Sequence, residues 1–429
     1  MSEPIHFQSP VGTHDVLGAE SAAWEGLLAT FASYAHRYGF QLIISPMFED
    51  VGVFHRGIGQ ESDVARKEMY VFEDRGGRTY ALRPEGTASV VRAFVQHHPT
   101  TPFKAWYATP AFRYERPQAG RYRQHHQLGV EVLGSEDPAV DVEVIVLAAR
   151  FYRAIGLRRI RLLVNSMGHE GCRGPYVETL RAHLGSHQAE LCDEHAAVWT
   201  KNPLRVLDCK KEPCVAVTNA GPQLPDHLCA PCAEHFASVR AGLAALGVES
   251  TLAPRLVRGF DYYTRTTFEF VSDALDAAQN AVGGGGRYDG LAEQLGGDPT
   301  PGIGFGSGIE RLLLARHAEG ADNALINRSV DCFVVDTTGD PSVAALIDEL
   351  RESGLAVLRA YDARSMKAQM KVADRSGARF ALVIGPAELA AGEVTMRDLR
   401  ADDHETAQRR VERSAVVGLV RAGRNGDNQ

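Results

Sequence analysis

The chain has 429 residues, 44% of them hydrophobic and 23% charged, with a formal net charge of -8. Such a length and apolar content imply two or three folded domains and exclude a disordered chain. An acidic balance argues against a generally adhesive nucleic-acid surface without excluding one, because phosphate contacts depend on local patches rather than net charge. The opening Met-Ser-Glu-Pro-Ile-His has no basic, apolar signal pattern, and no apolar run approaches bilayer length, so a cytoplasmic protein with no membrane contact is expected.

Residues 19–39 recur apolar at helical spacing (Trp24, Leu27, Leu28, Phe31, Tyr34, Ala35), with Gly39 as the stop. Phe40 to Pro46 reads as a short apolar strand ended by proline. Paired strands are predicted at 69–73 and 79–83 around Asp74-Arg-Gly-Gly77, and Leu82-Arg-Pro-Glu-Gly-Thr87 caps the helix that follows. Lys104–Thr109 and Gln127–Leu133 read as two more strands of an antiparallel sheet flanked by helices. Between them lies a long hairpin loop with Arg113, Arg116, Arg121 and Arg123 in eleven residues, interleaved with Gln118, Gln124, Gln127 and carboxylates. Guanidinium groups grip phosphate oxygens through a planar fork of donors, so this loop is suited to a polyphosphate. A solvated, salt-bridged face is the plainer alternative, and it leaves the interleaving unexplained.

A strand at 160–165 precedes an inserted, mostly helical module at about 170–250. It carries Cys172, Cys192, Cys209, Cys214, Cys229 and Cys232. Cys209-x4-Cys214 with Cys229-x2-Cys232, and His235 nearby, offer four ligands for a structural zinc, though the first pair is loosely spaced for a zinc knuckle. Free core thiols are the plainer reading. The sheet is predicted to resume over Arg255–Phe270 and Ala281–Asp289, and Gly302-Ile-Gly-Phe-Gly-Ser-Gly-Ile-Glu-Arg311 passes from a glycine strand into an apolar helix (Leu312, Leu313, Leu314). Gly283–Gly286 matches neither a dinucleotide fingerprint nor a phosphate loop; close approach of backbone to a ligand, or a tight bend, is its better use. After a linker at 318–328, the alternation of strand and helix from 331 predicts a small α/β domain with mostly parallel strands.

Taken together these segments resemble the bacterial histidyl-tRNA synthetase family of class II aminoacyl-tRNA synthetases. The resemblance runs nearly end to end. It rests on Asp63-Val-Ala-Arg-Lys-Glu-Met-Tyr70 with Leu82–Ala88, on Arg113–Glu131 as motif 2, on Leu256-Val-Arg-Gly-Phe-Asp-Tyr-Tyr263, and on Gly304–Arg311 as motif 3. It implies an α+β catalytic domain over 1–325 and an α/β anticodon-binding domain over 330–429. The implied reaction is ATP-dependent activation of L-histidine, with Mg2+, to histidyl-adenylate and its transfer to tRNA(His), by a homodimer formed around motif 1 (Phe40–Glu49).

The same resemblance implies that Arg113 holds the α-phosphate, that Arg121 and Arg311 grip the β- and γ-phosphates, and that Arg258 lies beside the reacting carboxylate, where other class II enzymes place a metal. Glu131 and Tyr263 become the imidazole pair, Glu85, Thr87 and Gln127 surround the α-amino group, and Tyr262 lines the histidine site. Contacts to tRNA are implied for Gln118 and for Lys367 and Lys371, which share a helix face in a locally basic stretch. Two departures stand out: His125 replaces the phenylalanine that stacks on adenine, and Val11 sits where an arginine is common. A silent paralogue, such as the regulatory subunit of ATP phosphoribosyltransferase, is the alternative. Such relatives typically lose the C-terminal domain and erode the arginine set. A nucleic-acid-binding module without chemistry leaves Glu85, Glu131 and Tyr263 unexplained.

Overall fold

A computed structural model describes residues 7–426 apart from 60–63, 261, 277–279, 322–324, 326–329, 362–363 and 402–407. Asp63 and Asp261 of the motifs, and part of the 318–328 tract, therefore lie outside the described residues. The chain divides into two compact units, Met1–Ile326 and Asn327–Gln429.

In the first unit the described strands are β1 (Gln41–Leu42), β2 (Phe48–Asp50), β3 (Val71–Glu73), β4 (Thr79–Leu82), β5 (Phe103–Phe112), β6 (Gln124–Leu133), β7 (Ile160–Ser166), β8 (Thr251–Leu252), β9 (Thr264–Ser272), β10 (Ala281–Arg287) and β11 (Gly302–Gly308). Eight of them form one sheet in the order β1-β5-β6-β11-β10-β9-β7-β8. Its middle is antiparallel throughout, and the outer pairs β1–β5 and β7–β8 are parallel. A second small sheet, β2-β4-β3, carries the hairpin turn at Asp74, whose carboxylate accepts from the Gly76 and Arg78 amides at 2.8 and 3.0 Å.

Strand alternation gives the large sheet two different faces. Leu128, Val130 and Val132 of β6, Ile303 and Phe305 of β11, and Phe268 and Phe270 of β9 form one of them. This face packs against the helices Ala19–Arg37 and Pro138–Ala154 to make the main core. Phe31 is central to it, edge-on to Trp106, Phe151 and Phe305 at 5.0–6.2 Å. The opposite face carries the polar side chains described below.

Two predicted strands are shorter than the sequence suggests. Phe40–Pro46 contributes only Gln41–Leu42 to the sheet, because the buried Arg83 draws the carbonyls of Ser45 and Pro46 to its guanidinium. The Arg255–Phe270 strand begins at Thr264, since the preceding carbonyls of Pro254 and Leu256 accept from the buried Asn165 amide instead of a strand neighbour. The insertion between β7 and β8 is helical and has a small core of its own around Tyr176, Leu180, Leu184, Val206, Leu207 and Val217.

The second unit contains β12 (Cys332–Asp336), β13 (Val357–Arg359), β14 (Phe380–Ile384), β15 (Glu393–Asp398) and β16 (Gln408–Glu412), ordered β13-β12-β14-β15-β16. The first three are parallel, but β14–β15 and β15–β16 are antiparallel, so the sheet is mixed rather than mostly parallel. The reversal follows Gly392, whose φ of +70° ends the helix Pro386–Ala391 in the left-handed conformation that glycine adopts without strain.

Candidate active site

The polar face of the large sheet is built on missing side chains. Gly304 and Gly306 of β11 lie opposite Gly286 and Gly284 of β10, so all four share one face with Gln127 and Glu131 of β6. A Cβ on Gly304 would stand 1.8 Å from Glu131 Oε2, and one on Gly306 would stand 2.1 Å from Gln127 Nε2. The same construction on Gly284 meets Arg258 Nη1 at 2.6 Å. The glycine strands are thus a floor across which long polar side chains lie flat. At Gly284 and Gly286 the side chains that approach the backbone closely are the chain's own Arg258 and Tyr263.

Glu131 is the hub of this face. It is wholly buried, and its Oε1 accepts from Thr87 Oγ1 at 2.7 Å and Tyr107 Oη at 3.1 Å. Its Oε2 accepts from Tyr288 Oη at 2.6 Å. Burial outweighs these donors and pushes its pKa up to about 8, so near neutral pH the carboxyl holds its proton. Glu85, also buried, accepts from the amides of Thr87 and Ala88 at 2.5 and 2.8 Å, which fixes the start of the helix Thr87–His97. Gln127 Oε1 accepts from the Gly86 amide at 3.0 Å, joining that helix start to β6. Tyr262 and Tyr263 pack at 4.6 Å beside Tyr288.

A cationic end adjoins this buried polar set. The β5–β6 loop closes as a narrow hairpin: Arg113 N donates to Arg123 O at 2.8 Å, and Gln118 pairs with Arg121 across Gly120. Its tip lies against the motif 3 helix, where a Cβ on Gly120 would meet Leu314 and Arg311 at 3.3–3.4 Å. Burial and then the charge of Arg121 lower the Arg311 pKa, a convergence of like charges that a bound anion relieves. His125 has its pKa lowered to about 3, first by burial and then by Arg113, His126 and Arg311, so its ring is neutral. Arg113 Nε donates to Pro84 O at 2.9 Å, and Arg258 Nη1 bonds Glu269 Oε2 at 3.0 Å while lying over the Tyr263 ring at 5.4 Å.

The arrangement therefore groups Glu85, Thr87, Gln127, Glu131, Tyr262 and Tyr263 on one side, and Arg113, Arg121, His125 and Arg311 on the other, with Arg258 on the glycine floor. Not every arginine of the loop joins the cluster. Arg123 lies over the Tyr114 ring at 4.0 Å as part of the hairpin's framework, and Arg116 and Gln118 are exposed. Arg287 is fully buried against Asp141 at 2.6 Å and braces the sheet. Sequence reasoning did not select Tyr107 and Tyr288 as donors to Glu131. Their signal was weak: an aromatic on a strand reads as core. Exposed Val11 adjoins Gly12, whose carbonyl accepts from Arg123 N at 2.8 Å, which places the Pro10–Thr13 turn on the hairpin base.

The expected four-cysteine metal set is not assembled. Cys209 and Cys214 converge with Cys192 and His195, whereas Cys229 and Cys232 converge with His169 and Cys172. His235 is no ligand: its Nε2 pairs with the Asp141 carboxylate at 2.7 Å. In the second unit Lys367 and Lys371 are both exposed on the helix Met366–Arg375, whose inner face buries Gln369 and Ala373.

Residues 12–312 match the family model for histidyl-tRNA synthetase, and residues 331–422 match the model for an anticodon-binding domain. The chain belongs to the histidyl-tRNA synthetase family. Relatives of this family include the histidine–tRNA ligase of Halothermothrix orenii, 46% identical over 402 residues that cover 92% of this chain and 95% of that one. The histidine–tRNA ligase of Moorella thermoacetica is 45% identical over 417 residues, covering 96% and 97%. The apo crystal structure of S. aureus histidyl-tRNA synthetase superposes with a TM-score of 0.80 at 35% identity, covering 97% of this chain and all of that one. Among synthetases of this family the fold is a catalytic domain followed by an anticodon-binding domain, and the two units found here correspond to the two family models.

Proposed function

We propose that this chain joins L-histidine to tRNA(His) in two steps, with ATP as the energy source. The observation that carries the reading is one sheet face on which a buried carboxyl, Glu131, with its three hydroxyl donors adjoins converging arginines. In the first step the histidine carboxylate attacks the α-phosphorus of ATP, the P–O bond to pyrophosphate breaks, and histidyl-adenylate forms. In the second, a terminal ribose hydroxyl of the tRNA attacks the activated carbonyl and AMP leaves.

Two anions must meet while charge builds on phosphoryl oxygens, so positioning and fixed positive charge carry the catalysis. Arg113 takes the α-phosphate, Arg121 and Arg311 take the β- and γ-phosphates, and neutral His125 offers a flat ring to adenine. Arg258 bridges the attacking carboxylate and the α-phosphate. Glu131 and Tyr263 receive the imidazole, with Tyr262 beside them, and Glu85, Thr87 and Gln127 surround the ammonium. A pocket that hydrogen-bonds its substrate rejects analogues strongly, because a poor fit leaves buried polar groups unpaired.

Magnesium would accompany ATP in this reading and would supply charge neutralisation on its phosphates. Glu115 and Glu269 would be the carboxylates nearest in kind to what that hard cation accepts, and each is paired here with an arginine, Arg121 at 3.3 Å and Arg258 at 3.0 Å. Residues 42–48 support a homodimer: Leu42, Ile44, Met47 and Phe48 are exposed apolar side chains, Ile44 at 87%, and Phe72 lies beside Phe48 at 5.8 Å. No helix among the described residues is long and apolar enough to cross a membrane.

ATP–pyrophosphate exchange with each of the twenty amino acids tests the reading. Exchange with histidine alone is expected. Histidine binding without exchange would instead mark a regulatory paralogue.

A further inference from the structure

The insertion holds two groups of metal-ligating side chains that the synthetase chemistry does not use. In one, the ligand atoms of His169, Cys172, Cys229 and Cys232 all lie within 4.8 Å of one another, and in the other those of Cys192, His195, Cys209 and Cys214 do the same. Cys172 Sγ stands 3.8 Å from Cys229 Sγ and 3.7 Å from Cys232 Sγ. His169 Nδ1 stands 2.9, 3.8 and 3.4 Å from the sulfurs of Cys172, Cys229 and Cys232. In the second group Cys192 Sγ is 3.1 Å from His195 Nδ1 and 4.0 Å from Cys209 Sγ, and Cys214 Sγ accepts from the Cys192 amide at 3.4 Å.

The sulfur–sulfur separations, 3.7–4.0 Å, are those of a tetrahedron around one ion. With zinc–sulfur bonds of about 2.3 Å, tetrahedral angles put neighbouring sulfurs about 3.8 Å apart. A disulfide would pair two sulfurs at about 2.05 Å and leave the third thiol and the imidazole unexplained. Ordinary core thiols have no reason to surround a histidine nitrogen in two places.

Local sequence accounts for the geometry. His169-x2-Cys172, Cys192-x2-His195 and Cys229-x2-Cys232 each place one ligand at a helix N-cap and the next in its first turn, on one side of the chain. Cys214 occupies the first turn of the helix Glu212–Asn219, with Cys209 just after Leu204–Leu207, so the longer x4 spacing crosses a break between two helices. The pairs are nested, the outer two forming one group and the inner two the other. The apolar core of the insertion holds eleven buried side chains, two of them Cys209 and Cys214, which is little for a module of this size and is the situation in which small folds rely on staples.

We propose that the insertion binds two structural zinc ions, one at His169, Cys172, Cys229 and Cys232 and one at Cys192, His195, Cys209 and Cys214. Three thiolates and an imidazole are a soft, closed donor set that suits zinc and leaves no position for substrate. Both sites abut the segment that carries Arg258, Tyr262 and Tyr263. Arg173, next to Cys172, donates to the Tyr263 carbonyl at 2.8 Å, and Arg255 donates to the carbonyl of Cys209 at 2.6 Å. The ions thereby brace both ends of residues 255–263. This last consequence rests on the proposed function, whereas the metal content does not.

Elemental analysis of the full-length protein, purified under reducing conditions and dialysed into metal-free buffer, decides the matter. Two zinc ions per chain are expected. Cys232→Ser and Cys214→Ser should each leave one, and the double variant none. Cobalt(II) titration of chelator-stripped protein should saturate at two equivalents with the ligand-field bands of tetrahedral thiolate coordination. His169→Cys should keep both metals while strengthening the sulfur-to-cobalt charge-transfer band, because it adds a fourth thiolate to one site. A folded protein with fewer than two zinc ions and no matching cobalt uptake, or one whose cysteines prove paired as disulfides by mass spectrometry, overturns the proposal. If the serine variants do not fold, the wild-type metal count and cobalt spectrum still distinguish two bound ions from fewer.

Discussion

Arg258 and Glu131 carry the sharpest consequences of the site, and both follow from what surrounds them. Arg258 is held against Glu269 and Tyr263 on the glycine floor, so its loss should remove charge stabilisation without disturbing the core. Arg258→His is expected to slow single-turnover adenylate formation by roughly two to three orders of magnitude, the worth of an oxyanion-type donor; a rate within tenfold of wild type would remove it from the catalytic set. Glu131 behaves differently because its proton is bound. Its pKa is raised from 4.5 to about 8 by burial, so the native state holds that proton more tightly than the unfolded chain does. The resulting stability is fully present below pH 4.5 and is lost as pH rises through 8. Glu131→Gln should flatten that slope in denaturant titrations across the window. It should also weaken histidine binding far more than ATP binding. An ionised carboxylate is the stronger acceptor for an imidazole N–H, so histidine binding near neutral pH is expected to release a proton in the wild type and not in the variant, read as a dependence of calorimetric heat on buffer ionisation enthalpy. Equal affinity losses for both ligands would assign Glu131 to supporting the sheet.

At the scale of elements, the site depends on β10 and β11 having nothing on one face. Polar side chains from β6 and from the 255–263 segment occupy the vacated layer, and the opposite face of the same strands packs Ile303 and Phe305 into the core. Gly304→Ala therefore forces Glu131 to move, since the new methyl would lie 1.8 Å from its Oε2. Overpacking of this kind costs about 1–3 kcal/mol. A lower Tm and a loss of histidine affinity exceeding the loss of ATP affinity are expected; unchanged Tm and unchanged affinities would mean that the sheet yields there without cost. The β5–β6 hairpin follows the same economy. Its arginines divide between framework, as Arg123 over Tyr114, and the converging pair Arg121 and Arg311.

The whole molecule must reconcile a net charge of -8 with a polyanionic partner. Within 351–380 the sequence offers seven basic residues against three acidic ones, but the fold uses several of them internally. Arg351 bonds the Val357 carbonyl, Arg359 pairs with Asp336 at 3.8 Å, and Arg379 pairs with Asp398 at 3.8 Å. Lys367, Lys371 and Arg375 remain exposed on one helix. Replacing Lys367 and Lys371 with alanine should reduce the magnitude of the slope of log tRNA affinity against log salt by roughly one to two, because fewer counterions are released. An unchanged slope places the phosphate contacts elsewhere. Deleting residues 331–429 should depress tRNA charging much more than pyrophosphate exchange, with circular dichroism checking that the remaining unit stays folded; parallel losses would tie the second unit to adenylation itself.

The amino-acid sequence by itself determined the elements whose signals are local. Hydrophobic period marked the helix Ala19–Arg37, strand alternation and turn residues marked β3–β4 and β5–β6, and the clustered motifs identified the family. Tertiary structure decided whatever depended on partners distant in sequence. Tyr107 and Tyr288 became donors to Glu131 only when β5 paired with β6 and Tyr288, just after β10, reached across β11. The strand expected from Arg255 onward gave way because Asn165 claimed its carbonyls, and the sheet of the second unit turned antiparallel at Gly392. The cysteines show the division most clearly. Spacing singled out Cys209-x4-Cys214 and Cys229-x2-Cys232 but not the pairs His169/Cys172 and Cys192/His195, and which pairs converge depends on how helices up to about sixty residues apart are brought together, which no local pattern encodes.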